Sequence, residues 1–171
     1  MVSTHAAANG ERIVHPQPFF FPLDEVRHWN RLYGRRGMVQ YQCVIPERVE
    51  QTVIRRLLEV VSRMGGASPV SVIKDCGAEG RGTISFPIRG MSLALDLPYR
   101  DGHTQSLVDA LNEVVVAAGG RIYLAKDALT RREHFAAMEP RLARWNEVRR
   151  KWDPERRLSS VLARRLLDPA T

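Results

Sequence analysis

The order of two hydrophobic periods along the chain limits its possible folds more than any other feature. Residues 38–45 alternate between apolar and polar side chains, which predicts a strand, and an apolar residue recurs every three or four positions between 49 and 64, which predicts a helix. Strand-like segments follow at 69–76, at 84–98 with an interruption, and at 121–125, with a second helical stripe before the last of them. The predicted order is therefore β-α-β-β-α-β.

This order is that of the split βαβ unit, so we expect an α+β protein with a ferredoxin-like antiparallel sheet and both helices on one face. Extra C-terminal helices are predicted at about 131–138, 140–151 and 155–167. The opposite face of such a sheet stays open unless something else packs on it, and we expect function there. Residues 1–16 show no periodicity and are predicted to form a loose leader, which leaves 17–171 as one domain.

The chain is basic, with a net charge of +7, and its arginines are scattered in pairs rather than gathered in one tract. This scatter favours solvated faces over a nucleic-acid site, although an anionic partner or substrate would also suit the charge. No apolar run is long enough to cross a bilayer and the first residues do not resemble a secretory signal, so we expect a cytoplasmic protein. Cys43 and Cys76 fit no CxxC motif and are predicted to be reduced thiols; a disulfide would require them to lie on facing strands.

Two kinds of polar side chain on the predicted strands are candidates for chemistry. Gln40 and Gln42 share one side of the first strand, where their amides could grip neighbouring hydroxyls of a sugar-like ligand or simply form a polar outer face. Lys74 lies within an apolar strand, and Lys126 follows Tyr123 at the end of another. A lysine in either place could stabilise a developing anion or could be a solvated residue at a strand end.

Motifs for metals and nucleotides are missing from the sequence. The five histidines show no metal-ligand spacing with Cys, Asp or Glu, and there is no P-loop, GxSxG or GxGxxG motif. We therefore predict no bound metal, and no dinucleotide site within this chain alone.

Several longer blocks stand in a characteristic order and separation. They read HWNRLYGRRGMVQYQCVIP, SFPIRG, GGRIYLAKDALT, PRLARWNEVRRKWDP and LARRL. Over about residues 19–167 they resemble the C-terminal region of the decaprenylphosphoryl-β-D-ribose oxidase group. That group belongs to the vanillyl-alcohol-oxidase type of flavoproteins, which includes the sugar-lactone oxidases.

The resemblance implies a flavin enzyme that oxidises a hydroxyl of a sugar or sugar lactone. FAD would be held mainly by an N-terminal domain that this sequence lacks, and the present chain would form the substrate-side roof over the isoalloxazine ring. By position, Lys126 matches the group's essential lysine near the flavin and Tyr123 matches a tyrosine that contacts the flavin. Gln42, and less closely Gln40, match residues of the substrate pocket, and Lys74 matches a lysine beside it.

Five positions depart from the best-known members of the group: Ser92, Ala94, Glu139, Leu158 and Ser160. Ala94 stands in place of an inhibitor-reactive cysteine and Ser92 in place of an asparagine. Because neither cysteine of this chain takes that place, covalent thiol chemistry is not expected here.

The resemblance also implies partners. We expect the chain to be inactive, or nearly so, unless an FAD-binding domain or subunit encoded separately joins it, with a sugar or lipid-linked sugar as substrate. A lipid-linked substrate would bring the protein to the periphery of a membrane. The alternatives are a noncatalytic remnant or scaffold domain, and a basic ferredoxin-like module that binds RNA. The last is disfavoured because MSLALDL offers no aromatic side chains on which bases could stack, and no nucleic acid is expected.

Overall fold

The computed structural model describes residues 13–66 and 70–167. Contacts divide the chain into two units, Met1–Leu32 and Tyr33–Thr171. In the first unit, the short helix α1 (Pro16–Phe20) is followed by a 3-10 turn at Pro22–Glu25. The predicted leader, 1–16, falls almost wholly outside the described residues, and the boundary predicted after it stays a prediction.

The second unit contains a four-stranded antiparallel sheet. Its strands are β1 (Met38–Pro46), β2 (Ser71–Cys76), β3 (Gly90–Pro98) and β4 (Arg121–Ile122). Their order across the sheet is β2-β3-β1-β4, with antiparallel pairing throughout. This order is that of a split βαβ unit, so the predicted α+β, ferredoxin-like class is confirmed.

Two long helices, α2 (Glu50–Arg63) and α3 (Asp101–Ala117), cover one face of this sheet. Their apolar stripes meet the odd-numbered side chains of β1 and β3, because alternate residues of a strand point to the same face. The side chains that are at most 1% exposed in this core are Cys43, Ile45, Leu57, Leu93, Leu95, Leu97, Leu107, Leu111, Val115 and Leu166.

The pairing of β1 with β3 depends on a glycine. Gly90 pairs with Pro46 at the start of β3 and has a φ of 149°, which L side chains rarely adopt. A Cβ atom at Gly90 would overlap the backbone oxygen of Ile45 and lie 2.7 Å from the backbone nitrogen of Glu47. The close approach of two backbones therefore requires glycine here.

Two of the predicted strands are shorter than expected. The segment 84–89, predicted as part of β3, is not a strand, because the backbone oxygen of Ser85 accepts hydrogen bonds from two arginines instead of entering the ladder. The fourth strand ends at Ile122 rather than 125, and the chain closes a 3-10 turn at Leu124–Lys126. The N–H of Lys126 donates to the oxygen of Tyr123, at 2.9 Å, to close that turn.

The C-terminal part adds two helices, α4 (Arg132–Met138) and α5 (Leu142–Trp152), and a π-helical turn at Ala163–Leu167. The helix predicted at 155–167 is wrong for its first half. The carboxylate of Asp153 accepts the N–H groups of Arg157 and Leu158 at 2.7 and 3.1 Å, which holds the backbone in a loop. Arg156 has a φ of 52°, which an α-helix does not allow.

Both cysteines are free thiols in the structure, as the sequence predicts. Cys43 lies in the core on β1, and Cys76 lies at the end of β2. β3 separates these two strands, so the cysteines do not face each other. Complete burial raises the pKa of the Cys43 thiol to about 12.

Candidate functional site

Most of the residues singled out in the sequence lie on the sheet face that points away from α2 and α3, which we name the polar face. In the strand register, Gln42 is opposite Ala94, Gln40 is opposite Asp96, and Lys74 is opposite Ser92. Opposed residues of paired strands point to the same side of a sheet. The register therefore places Gln40, Gln42 and Lys74 on one face, as the alternation predicted for the two glutamines.

A cluster of hydrogen bonds occupies the end of the polar face near Gln40. The Gln40 amide donates to Oδ1 of Asp96 at 3.0 Å, and the hydroxyl of Tyr33 donates to Oδ2 at 2.9 Å. Burial, the hydrogen bond to Asp96 and the charge of Asp96 together raise the pKa of Tyr33 to about 12. Gln40 thus has its amide nitrogen engaged by a carboxylate, which fixes the direction of its oxygen. The alternation of 91–97 puts Asp96 on the polar side of its strand, as it puts Gln40 on the polar side of β1, so the sequence could have identified Asp96 as a further site residue.

At the centre of the polar face, Gln42 is not freely displayed. Its amide nitrogen donates to the Ser92 hydroxyl at 2.8 Å, and the two residues are only 6% and 1% exposed. Val44, two residues further on β1, is completely buried. The expectation of a bare face is therefore wrong at its centre, where the chain itself covers these side chains.

Lys74 lies at the exposed margin of the same face. It is on the edge strand β2, whose residues are exposed except for the partly buried Cys76. Lys74 is the direct partner of Ser92, whose own partner on β1 is Val44. Gln42 lies one step further along the same face, and its amide nitrogen reaches back to the Ser92 hydroxyl.

Tyr123 closes the other margin of the sheet. Its N–H donates to the backbone oxygen of Gln42 at 2.8 Å, which attaches it to β1 beyond the end of β4. Its ring packs on Phe86, with centroids 4.7 Å apart and planes inclined by 39°. The two rings line a cavity of about 170 Å³ that also includes Arg121 and Glu139. The segment 84–89 therefore runs beside β4 and brings a second aromatic ring next to Tyr123.

An ion cluster that sequence patterns do not reveal anchors this segment. Arg121 and Arg141 both pair with the carboxylate of Glu79, and Arg141 also pairs with the buried Glu139 at 2.7 Å. The hydrogen bond from Arg121 lowers the pKa of the Glu79 carboxyl despite the opposing effect of partial burial. Both arginines also donate to the oxygen of Ser85. The contacts of the two arginines with Glu79 and Ser85 join residues 36 to 62 positions apart, which a local pattern cannot predict.

Lys126 ends the 3-10 turn that follows β4 and packs beside β1. It is partly buried, and within 13–66 and 70–167 its ammonium makes no hydrogen bond or ion pair. The adjacent carboxylate of Asp127 does not neutralise it, because that carboxylate is turned inward, is 2% exposed and pairs with Arg165 at 2.7 Å. The turn therefore presents a lysine whose positive charge is available to a ligand.

Other features of the surface lie away from these residues. A cavity of about 740 Å³ runs along α2, between Gln51, Leu58 and Met91, on the helix side of the sheet. Among the described residues, no three His, Cys, Asp or Glu side chains are grouped as metal ligands would be, and the absence of a metal stays a prediction. None of the described helices is both long enough and apolar enough to span a bilayer.

Comparison with known proteins gives two kinds of match. The sequence pattern of the D-arabinono-1,4-lactone oxidase family matches residues 91–166, which include β3, Tyr123 and Lys126. Decaprenylphosphoryl-β-D-ribose oxidase of Mycolicibacterium smegmatis is 40% identical over 149 residues, which are 86% of this chain and 32% of that protein. A Streptomyces coelicolor protein, described as an uncharacterized protein in the mprA 5′ region, is 41% identical over 76% of this chain and 35% of its own length. The chain thus spans about a third of the curated relatives it matches.

Proposed function

From the relationship of this chain to the decaprenylphosphoryl-β-D-ribose oxidase and sugar-lactone oxidase group, we propose that it is the substrate-side part of an FAD-dependent oxidoreductase that oxidises a hydroxyl of a sugar or sugar lactone. FAD is held mainly by a region outside these residues. Since the chain spans about a third of its relatives' length, it has no turnover, or almost none, until a flavin-binding region joins it.

The observation that carries this proposal is the Lys126 ammonium, which makes no hydrogen bond or ion pair within 13–66 and 70–167 and belongs to the turn that packs beside β1. A fixed positive charge stabilises negative charge that develops in a transition state, and it is most effective where no neighbouring carboxylate neutralises it. Asp127 is the nearest carboxylate in sequence, and its pairing with Arg165 leaves Lys126 free for that purpose. When bound, the flavin supplies a hydride acceptor, and Lys126 supports the negative charge that hydride transfer brings.

The residues present fit such a ring system. Tyr123 and Phe86 form an aromatic pair beside the Lys126 turn, and a flat conjugated ring stacks on such side chains. Tyr123 is attached through its backbone to β1, so its position is set by the sheet. We therefore assign Tyr123 and Lys126 to the flavin side of the site.

The substrate side is formed by the polar face. Gln40 and Gln42 each use the amide nitrogen within the protein, on Asp96 and Ser92, which leaves only the amide oxygens as acceptors for substrate hydroxyls. The oxygen of the partly exposed Gln40 is the more accessible of the two, because Gln42 is 6% exposed. Lys74, at the exposed margin, suits an anionic group of the substrate such as the phosphate of a lipid-linked sugar. With that substrate the protein works at the periphery of a membrane, and the rest of its surface faces the cytoplasm.

The test supplies the flavin-binding region in trans. A flavin-binding polypeptide from a neighbouring reading frame is mixed with this chain, and reduction of an acceptor dye is followed with sugar lactones and polyprenylphosphoryl pentoses as substrates. We expect turnover only from the mixture, and we expect Lys126→Ala to lower kcat by about 10² to 10³, the usual cost of losing one charge-stabilising donor.

Lys151→Ala is the matched control, because Lys151 is an exposed lysine of α5 that lies over the Trp152 ring. It should leave kcat unchanged. Stoichiometric flavin and full turnover in the purified chain without any partner would contradict the proposed dependence. A chain that binds no flavin-binding polypeptide at all would instead support a noncatalytic remnant or scaffold.

The alternative to an enzyme is an RNA-binding protein, and the structure offers this function little support. Such sheets stack bases on exposed aromatic side chains of the central strands. The aromatic residue of β1, Tyr41, is on the helix side and is 2% exposed. A salt-dependent mobility shift with single-stranded RNA would favour that function over the oxidase.

A further inference from the structure

A continuous set of buried polar groups runs under the Lys126 turn. The Tyr41 hydroxyl donates to Oδ1 of Asn112 at 3.1 Å, and the Asn112 amide donates to the Thr130 hydroxyl at 3.1 Å. The N–H of Thr130 then donates to Oδ1 of Asp127 at 2.9 Å. Tyr41, Asn112 and Thr130 are at most 2% exposed, so these bonds are sheltered from water.

Arg165 completes this set from the far end of the chain. Its guanidinium donates to the Asp127 carboxylate at 2.7 Å and to the backbone oxygens of Asp127 and Thr130. One side chain thus holds both ends of the segment 127–130. The planar fork of arginine can make these bonds simultaneously, which a lysine cannot do.

Arg165 has two effects on the residue before this segment. It fixes the backbone that carries Lys126, and it satisfies the carboxylate that would otherwise be the nearest partner for the Lys126 ammonium. A buried carboxylate without Arg165 would need another cation, because an unpaired buried charge is costly. Lys126 is the adjacent residue in the chain.

We infer that Arg165 is a positioning residue of the site: by pairing with Asp127 it holds the 3-10 turn in place and keeps the Lys126 ammonium free for ligand. The inference rests on the proposed function for its consequence in turnover. Its structural part, that Arg165 keeps Asp127 from pairing with Lys126, can be measured on the isolated chain.

The first measurement uses the chemistry of the lysines. The sequence contains only Lys74, Lys126 and Lys151, so mass spectrometry resolves the acetylation rate of each by N-hydroxysulfosuccinimide acetate. In Arg165→Met we expect the rate at Lys126 to fall several-fold, because the Asp127 carboxylate then pairs with its ammonium. The rates at Lys74 and Lys151 should stay as in the wild type. Equal rates at Lys126 in a folded Arg165→Met protein would overturn the inference.

The matched control is Arg164→Met. Arg164 is the exposed neighbour of Arg165, and its side chain bonds only to the Ser159 hydroxyl, at 3.1 Å, within the described residues. We expect no change at any lysine in this variant. A change at Lys126 equal to that in Arg165→Met would assign the effect to general loosening of the C-terminal turn and would overturn the inference.

The second measurement uses the complex with the flavin-binding polypeptide. Misplacement of a catalytic group by about 1 Å can cost about 10²-fold, so Arg165→Met should lower kcat by about that factor while KM changes little. Arg165→Lys, which keeps the charge but not the fork, should recover part of kcat. An effect on KM alone, or full activity in folded Arg165→Met, would contradict a positioning role.

Arg165→Lys also decides the outcome if Arg165→Met does not fold. A Lys126 acetylation rate below that of the wild type supports the inference, and a wild-type rate with wild-type kcat overturns it. If the wild-type complex shows no turnover, the proposed function fails, while the acetylation rates still decide whether Arg165 controls the Lys126 turn.

Discussion

A single asparagine joins the sheet to the loop that follows β4. Asn112 is completely buried and exchanges hydrogen bonds with Tyr41 and Thr130. Asn112→Leu keeps the branched shape and the number of heavy atoms but leaves both hydroxyls without this partner, and unsatisfied buried groups cost about 1–3 kcal/mol each. We expect the free energy of unfolding in urea to fall by about 2–4 kcal/mol. Gln51→Leu, at an exposed position of α2, should change it by less than about 0.5 kcal/mol.

A buried thiol makes the protein sensitive to alkaline pH. The pKa of Cys43 is about 12 in the folded protein against 9.0 for the free thiol, so the folded state holds the proton more tightly. Below pH 9 the protonated Cys43 thiol makes its full contribution to the free energy of unfolding. As the pH rises from 9 towards 12, the free energy of unfolding falls by about 1.4 kcal/mol per pH unit, because the thiol ionises more easily in the unfolded chain. The free energy of unfolding, measured from pH 8 to 11, should therefore fall less steeply in Cys43→Ala than in the wild type.

The partly buried Cys76 provides the comparison for that experiment. Burial also raises the pKa of its thiol, with a smaller contribution from the charge of Asp75, but Cys76 remains accessible at the end of β2. Cys76→Ala should change the alkaline slope less than Cys43→Ala does. Identical slopes in both variants and the wild type would show that Cys43 ionises equally easily in the folded and unfolded states.

At the scale of elements, the contact between β1 and β3 depends on the absence of one side chain. Gly90→Ala would force a Cβ atom into the backbone of Ile45 and would strain a φ of 149°. We expect a loss above about 3 kcal/mol in the free energy of unfolding, or an unfolded protein by circular dichroism. Gly102→Ala is the matched control, because the position lies in α3 with open space around the Cβ, and alanine should be neutral or stabilising by up to about 1 kcal/mol.

The loop after α5 is held by one carboxylate. Asp153→Ala removes the acceptor of the Arg157 and Leu158 N–H groups and should cost about 1–2 kcal/mol, as the loss of a helix cap does. Amide exchange at these two residues should become faster. Glu155→Ala, which removes an exposed ion pair with Arg157, should leave both the stability and the exchange rates unchanged.

Elements with a clear period could be predicted from the sequence, and those set by distant partners could not. Strand alternation placed Gln40 and Gln42 on one face, and helical stripes located α2 and α3 to within a few residues. The segment 84–89 has a strand-like composition, yet Arg121 and Arg141 bind its Ser85 oxygen from 36 and 56 positions away.

The same limit applies to the candidate site. The sequence identified Lys74, Tyr123 and Lys126 partly through a resemblance, and the sheet register then placed Lys74 beside Ser92. It gave no signal for Arg165, because one arginine among 23 is not distinctive and its partner Asp127 is 38 positions away. The burial of Gln42 and Ser92 at the centre of the polar face could not be predicted either, since it depends on how the folded chain covers its own sheet.

At the scale of the whole molecule, the C-terminal part carries an exposed apolar area. Trp152, Leu158 and Val161 are 78%, 77% and 74% exposed, and Val148 on α5 adds to them. Large exposed apolar areas usually mark contacts with another surface. We expect Trp152→Gln with Leu158→Gln to reduce binding of the dye ANS and concentration-dependent self-association in ultracentrifugation, with Tm unchanged.

A pair of substitutions at another exposed apolar site serves as control for that experiment. Leu58 on α2 and Ile73 on β2 are 39% and 52% exposed. Leu58→Gln with Ile73→Gln should leave self-association as in the wild type. Equal loss of association in both double variants would mean that overall hydrophobicity, rather than the α5 surface, drives it.

The pairing of Asp127 with Arg165 has a consequence for the order of events during synthesis. On the ribosome, the turn with Lys126 emerges 38 residues before the arginine that fastens it. The sheet can assemble in the meantime, because its last strand ends at Ile122. We expect the nascent protein to pass through a stage in which the sheet is formed while the Lys126 turn is not yet held by Arg165, and a protease that cuts off Arg165 would return the protein to that stage.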